Sequence, residues 1–255
     1  MRSAYFNYSL INESHASLAI SNRGFLFGEG VFRTLRVSKG QVFYWQKHFQ
    51  KLNADCQFLS LPSPAISEED MQNLIVENGA FNGTWRLKII VSDSLIITLE
   101  PYNFSQVEKH LTVFPHSIER PSAKVKSLSY LDNMLVSKYA LENGYDDGLI
   151  LNHEKAILEC SKANFLWAHH GSLYFSDPSL PYYEGVMQQL CLETATQLGM
   201  KTLPCKFKLE DIPSNAFLFT SNAMQGLIPI TKIDERIFPR NLEMEEEFGQ
   251  RLNSL

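Results

Sequence analysis

Two short stretches hold side chains whose types and spacing suit chemistry. Ile157-Leu158-Glu159-Cys160-Ser161-Lys162-Ala163-Asn164-Phe165 places one carboxylate, Glu159, at the end of an apolar strand-like run, before a small polar turn and a second apolar run. Upstream, Val125-Lys126-Ser127-Leu128-Ser129-Tyr130-Leu131 sets a lysine at the mouth of an amphipathic helix whose stripe starts at Leu128. Partial desolvation there would make the amine nucleophilic. Lys124 is two residues away and would share a strand face with Lys126, so periodicity does not choose between them. An acid in so apolar a setting as Glu159 needs a partner: backbone amides, an arginine, or a protonated ring nitrogen. An amine that condenses with an aldehyde and an acid that keeps a heterocycle charged are two groups that pyridoxal phosphate (PLP) chemistry requires.

A phosphate needs amide donors and positive charge. The turn Glu184-Gly185-Val186-Met187-Gln188 opens a helix, and a helix N-terminus with glycine cradles anions. Ser221-Asn222-Ala223, after a buried-type strand, offers more donors, and Lys51 offers charge. His169-His170 carries no metal reading, because neighbours on a hairpin turn do not face one ion and no third ligand is evident. The run Glu243-Met244-Glu245-Glu246-Glu247 reads as a solvated helix face.

The elements that must position these groups fall into two halves, with a seam at the polar, proline-bearing stretch 116–124. Residues 1–115 form a first domain and 125–255 a second, the fold class being α/β with mixed α+β character. In the first, Tyr5–Ile11 reads as a strand, and Gly24, Gly28 and Gly30 punctuate an aromatic segment. Gln41–Tyr44 is a further strand, and Trp45, Phe49, Leu52, Cys56 and Leu59 recur at helical spacing. A second helix starts after Ser67, and strands follow at Trp85–Val91 and Leu95–Leu99. In the second, Leu128, Leu131, Leu135, Tyr139 and Leu141 mark a helix ending at Asn143-Gly144. Hairpins follow at 148–158 and 165–175, then a helix over 185–198 and a buried strand at Ala216–Thr220. Leu227–Thr231 reads as an edge or irregular strand because of Pro229, and 241–255 as a charged helix that Gly249 could end early.

Composition bounds the function. The 255 residues are 44% hydrophobic and 20% charged, values of an ordinary globular chain, and the net charge of -5 disfavours nucleic acid as a partner. No run approaches a membrane span, and the opening residues carry neither a long apolar core nor a cleavage signal. The four cysteines lack CxxC spacing, so neither zinc nor a disulfide framework is indicated and a reducing cytoplasm is the default.

Taken together, these segments resemble the fold-type IV PLP enzymes, the class IV aminotransferase family that holds branched-chain and D-amino-acid aminotransferases and aminodeoxychorismate lyase. The likeness rests on Asn22-Arg23-Gly24-Phe25-Leu26-Phe27-Gly28-Glu29-Gly30-Val31-Phe32-Arg33-Thr34, on His48-Phe49-Gln50-Lys51-Leu52, on the Lys126 segment and on the Glu159 segment, in that order. It implies two domains with PLP in the cleft between them, a homodimer, and the Schiff base on Lys126. It further implies Glu159 at the pyridine nitrogen, Tyr130 beside the ring, and Lys51 with the Val186, Met187, Asn222 and Ala223 amides at the phosphate. The texture of the motifs is most similar to the lyase branch, which releases pyruvate and 4-aminobenzoate, a folate precursor. There Lys126 takes the α-proton and Thr34 assists proton transfer.

The sequence departs from the family pattern at three places. Lys51 and Gln188 stand where the family usually has arginine, and Ile89–Ser94 runs straight into Leu95 without the usual glycine-rich, arginine-bearing loop. Arg36 or Arg86 would then bind the substrate carboxylate. An aminotransferase acting on branched-chain or D-amino acids with a 2-oxo acid acceptor is the competing activity. A divergent binding protein that does no catalysis is the third reading.

Overall fold

The computed structural model describes residues 2–105 and 107–253, so Met1 and the last two residues of the expected terminal helix lie outside the described residues. The chain divides into two units, residues 1–104 with 125–130, and residues 105–124 with 131–255.

In the first unit, β1 (Ser3–Phe6) and β2 (Ser9–Asn12) form a hairpin, followed by α1 (Arg23–Phe27), β3 (Val31–Ser38) and β4 (Gln41–Val42). The helices α2 (Trp45–Phe58) and α3 (Glu68–Glu77) come next, then β5 (Thr84–Val91) and β6 (Leu95–Pro101). All six strands are antiparallel, in the order β2-β1-β6-β5-β3-β4. The single strand expected over Tyr5–Ile11 is two strands, because Asn7 and Tyr8 both adopt positive φ (47° and 68°) and make the tight hairpin turn that such a pair favours. β3 and β5 alternate: Val31, Arg33, Leu35 and Val37 are buried, whereas Thr34 and Arg36 are partly exposed. The apolar core takes Val31, Leu35 and Val37 together with Leu52 and Cys56 of α2 and Met71, Leu74 and Ile75 of α3. α3 opens with a capping box between Ser67 and Asp70.

The second unit contains β7 (Lys109–Val113), α4 (Leu131–Glu142), β8 (Asp147–Leu151), β9 (Ile157–Cys160), β10 (Asn164–His169) and β11 (Ser172–Ser176). They are followed by α5 (Val186–Gln197), β12 (Lys201–Cys205), β13 (Phe217–Asn222), β14 (Gly226–Ile233), β15 (Arg236–Ile237) and α6 (Leu242–Asn253). The sheet runs β12-β11-β10-β13-β14-β7-β8-β9, with β15 paired to β14. It is mixed: β7 is parallel to both β8 and β14, whereas β13 is antiparallel to β10 and β14.

The observed boundaries differ from the 116–124 seam. Because β7 pairs with β8 and β14, residues 109–124 belong to the second unit, and residues 125–130 belong to the first. Those six residues do not open a helix either. Ser127 bridges Val31 and Leu128 N–H donates to Gly30 O at 2.8 Å, so the segment runs along β3 and the helix waits until Leu131. The stripe expected for that helix is reversed: Leu131, Leu135 and Leu141 are exposed, and Asn133, Val136, Ser137 and Ala140 are buried. β14 lies inside the sheet despite Pro229, because Pro229 pairs with Phe219 where the β7 ladder, which starts at Ile230, has not begun. α6 continues through Gly249 to Asn253.

Candidate active site

In the first unit, Lys126 is held at both backbone ends. Its N–H donates to Asp55 Oδ2 at 3.1 Å and its carbonyl accepts from Phe32 N at 2.9 Å. Gly30 permits this approach, since a Cβ there would stand 2.5 Å from Leu128 Cδ1 and 2.7 Å from Val91 O. The partly buried Lys126 side chain carries Nζ 4.6 Å from the Phe32 ring centre and 5.3 Å from that of Tyr130, two rings packed edge to face. Lys124 is different. It is exposed, ends a short 3-10 turn (Pro121–Lys124) in the second unit, and donates to Pro178 O. The two lysines therefore do not share a strand face.

Thr34 and Arg36 lie on the same face of β3 as Phe32, by alternation. Across the register Thr34 faces Lys88 and Arg36 faces Arg86. Arg36 packs its guanidinium 4.0 Å over Phe43, its Nε is buried without a hydrogen-bond partner among the described residues, and burial lowers its pKa. Lys88, which sequence reasoning missed, lies 5.0 Å from the Phe32 ring centre, and burial followed by the charge of Arg86 lowers its pKa. Arg86 is engaged: Nε and Nη2 donate to Glu100 Oε1 at 2.9 and 2.6 Å. Positive charge thus dominates the sheet face that also carries the Phe32 ring and Thr34. The signal for Lys88 was its place between Leu87 and the apolar run Ile89–Val91.

The opposite face of β3 holds a buried polar cluster that was likewise missed. Arg33, 2% exposed, makes an ion pair with Asp55 at 2.7 Å. About two turns earlier on α2, on the same helix face, stands His48, buried, with Nδ1 lacking a hydrogen-bond partner among the described residues. Burial and the cations Arg33, Lys126 and Lys51 push its pKa down to about 3, so it is neutral at physiological pH. Lys51, partly exposed on α2, contributes charge to both His48 and Asp55. For Asp55, burial raises the pKa, and Arg33 and the Lys126 amide offset part of the rise.

In the second unit, Glu159 is partly buried on β9, paired with Ile150. Tyr182 donates its hydroxyl to Ser176 O at 2.6 Å and accepts from Gln188 Nε2 at 3.2 Å. Burial raises the Tyr182 pKa, and the charges of Glu184 and Glu159 add to the rise. Gln188 is 3% exposed and serves this network.

α5 starts at Gly185 with no side-chain cap, so its first amides lack an intrahelical acceptor. Asn164 fixes the entry: Oδ1 accepts Gly185 N–H at 3.0 Å and Nδ2 donates to Tyr183 O at 2.6 Å. A Cβ on Gly185 would meet Asn164 Oδ1 at 2.5 Å, so a larger residue there would have to displace the Asn164 side chain from the bonds that fix the entry. The Val186 and Met187 side chains are buried, so the helix start offers backbone N–H groups. Ser221, 1% exposed, pairs with Asn164 across β10 and β13 and projects from the same sheet face. Its Oγ has no hydrogen-bond partner among the described residues. The Asn222 side chain is used locally, accepting from Met224 and Gln225 N–H, so Asn222 and Ala223 also offer backbone. An uncapped helix start beside an orphaned buried hydroxyl suits a phosphate-bearing ligand. Among the described residues no group of three or more His, Cys, Asp or Glu could hold a metal.

Residues 30–233 match the family model described as amino-transferase class IV. A D-alanine aminotransferase of Listeria monocytogenes is 24% identical over 250 residues, covering 89% of this chain and 86% of its own. An aminodeoxychorismate lyase of Bacillus subtilis is 22% identical over 253 residues, with 91% and 86% covered. Among solved structures, a branched-chain aminotransferase of Thermoproteus uzoniensis aligns with TM-score 0.90 at 20% identity, covering 98% of this chain and 93% of that one. A PLP-bound hypothetical aminotransferase of Mycobacterium tuberculosis aligns with TM-score 0.87 at 19% identity, covering 98% and 97%. The fold-type IV architecture, the motifs that run through it and the family match together make this chain a member of the class IV aminotransferases, a family of PLP-dependent enzymes.

Proposed function

We propose that the chain is a lyase of the aminodeoxychorismate type, acting on a small molecule that bears an amine and more than one carboxylate. The observation that carries this reading is the pair of partly buried cations, Arg36 and Lys88, on the sheet face that also presents Thr34 and the Phe32 ring against Lys126. Partly desolvated cations of this kind recruit carboxylates. The β5–β6 turn supports the choice, because Val91 pairs with Leu95 and only residues 92–94 intervene. That leaves no arginine-bearing loop of the kind D-amino-acid aminotransferases use for a substrate carboxylate.

Lys126 would carry the covalent link to PLP, with Tyr130 beside it, and Glu159 would face the ring nitrogen. The amides of Val186, Met187, Asn222 and Ala223, with Ser221 Oγ and the charge of Lys51, would hold the phosphate. Bound PLP supplies an electron sink for a carbanion at the substrate α-carbon. The chain's residues do the rest: the Lys126 amine accepts the α-proton, the Thr34 hydroxyl passes a proton near it, and Arg36 and Lys88 orient the carboxylates. Arg86, already paired with Glu100, contributes mainly by keeping that carboxylate from neutralising its neighbours. The exposed Ile20, Phe25 and Phe27 support a homodimer, which light scattering tests. Four free cysteines, three of them buried, suit a reducing cytoplasm.

Product analysis is the test. With aminodeoxychorismate as sole substrate, 4-aminobenzoate and pyruvate should form in equal amounts without a keto acid. An absolute requirement for a 2-oxo acid would assign the chain to the aminotransferases instead.

A further inference from the structure

The Schiff-base lysine of a PLP enzyme must present its amine at a fixed point, yet its own side chain is long and flexible. In this chain the backbone beneath it is tied to a buried charge. Asp55 Oδ2 accepts both from Arg33 Nη2 at 2.7 Å and from the Lys126 N–H at 3.1 Å, and Arg33 is 2% exposed. Arg33 sits on β3 between Val31, which bridges Ser127, and Leu35, so the pair lies beside the segment 125–130 that runs along β3. On the other side of Lys126, Phe32 N–H binds its carbonyl at 2.9 Å, and the Phe32 ring lies against its Nζ. A buried ion pair is a poor source of net stability compared with apolar packing, so its presence under this residue asks for another reason. A charged acceptor also makes a stronger and more directional bond than a neutral one.

We infer that Asp55 is a positioning residue for Lys126: kept ionised by Arg33, it grips the Lys126 amide and fixes the root from which the amine reaches the cofactor. The inference rests on Lys126 being the PLP lysine. Asp55 and Arg33 are both buried, and Asp55 meets Lys126 through the Lys126 backbone N–H, so they act through the backbone rather than on the reacting groups.

The test compares two double variants of the PLP-loaded enzyme. Arg33→Leu/Asp55→Leu removes the ion pair and the acceptor, leaving no orphaned charge. Arg33→Leu/Asp55→Asn removes the ion pair but keeps an amide oxygen for the Lys126 N–H. Both lose the salt bridge, so a role in stability alone would affect them alike. With the acceptor gone, kcat should fall ~10- to 100-fold while KM stays within about twofold, the effect of a misplaced reacting group. The circular dichroism of the bound cofactor's visible band should fall by about half or more as its orientation loosens. The variant with asparagine should recover both readouts to within about threefold. Equal kcat and equal visible dichroism in the two variants would overturn the inference.

If neither variant folds, the wild-type enzyme decides it: the Lys126 amide should exchange with deuterium as slowly as the Phe32 amide, and fast exchange at Lys126 overturns the inference. Borohydride reduction of the wild type followed by peptide mapping is the separate check on the premise. An adduct on a residue other than Lys126 removes the premise itself, whatever the variants do.

Discussion

His48 should make stability fall with acid in a way that one substitution cancels. In the folded protein its pKa is about 3, from burial and from the cations Arg33, Lys126 and Lys51. An unfolded histidine titrates near 6.5, so between those values the unfolded chain binds a proton that the folded one refuses. Stability from this group is complete above pH ~6.5 and is lost as pH falls toward 3. From pH 7 to pH 5 the loss is about 2 kcal/mol, and the full shift corresponds to about 5 kcal/mol. Asp55 acts in the other direction, since burial raises its carboxyl pKa and acid then favours the fold. It is present in both proteins to be compared and so drops out of the difference. The assay is urea unfolding of cofactor-free wild type and His48→Gln at pH 7, 6 and 5. The wild type should lose about 2 kcal/mol more than the variant over that range. Parallel pH profiles for the two proteins would refute the argument and mean that His48 reaches solvent or finds an anion.

Three further outcomes follow from particular contacts. Ser221→Ala removes a hydroxyl that has no hydrogen-bond partner among the described residues, so cofactor-free stability should stay within about 1 kcal/mol while PLP affinity, read by fluorescence titration, falls roughly tenfold. Lys88→Met should raise KM at least ~10-fold for the carboxylated substrate and leave the cofactor spectrum unchanged, as expected for lost uniform binding. Asp55→Leu alone strands the Arg33 charge in the core and should cost about 3–5 kcal/mol in thermal or urea unfolding, far more than the paired replacement with Arg33→Leu.

The sequence was most legible where period and caps agreed. The α2 helix, the β10–β11 hairpin and the glycine-led start of α5 all stand where spacing predicts, and the family motifs fall in order along them. Legibility failed where hydrophobic pattern and burial part company. The leucines of α4 suggest a buried stripe, yet Leu131, Leu135 and Leu141 are exposed and the helix buries Asn133 and Ser137 instead, where Asn133 Nδ2 donates to Ser161 O at 2.9 Å. Arg33 and His48 entered only as members of the motif segments and Asp55 not at all, because a charge pair in a core has no local signature; only the fold brings β3 and α2 together. The spacing of Trp45, His48, Leu52 and Asp55 does place both titratable groups on one helix face, a cue that apolar counting passes over. Ser221 became informative only once its lack of a partner was visible.

The position of β14 constrains how the protein is made. β7 emerges from the ribosome early, but its Lys109 neighbour on one side is Ile230, on the order of a hundred residues later. Until residues 226–233 are synthesised, β7 and β13 each lack the strand that joins them, and the larger sheet stays split. The smaller sheet has no such wait, since its last strand, β6, ends at Pro101 and the unit around it is complete at Tyr130. Nascent chains paused beyond that point therefore carry one finished unit and one whose strand edges are still open, the kind of edge on which unpaired strands add to other chains.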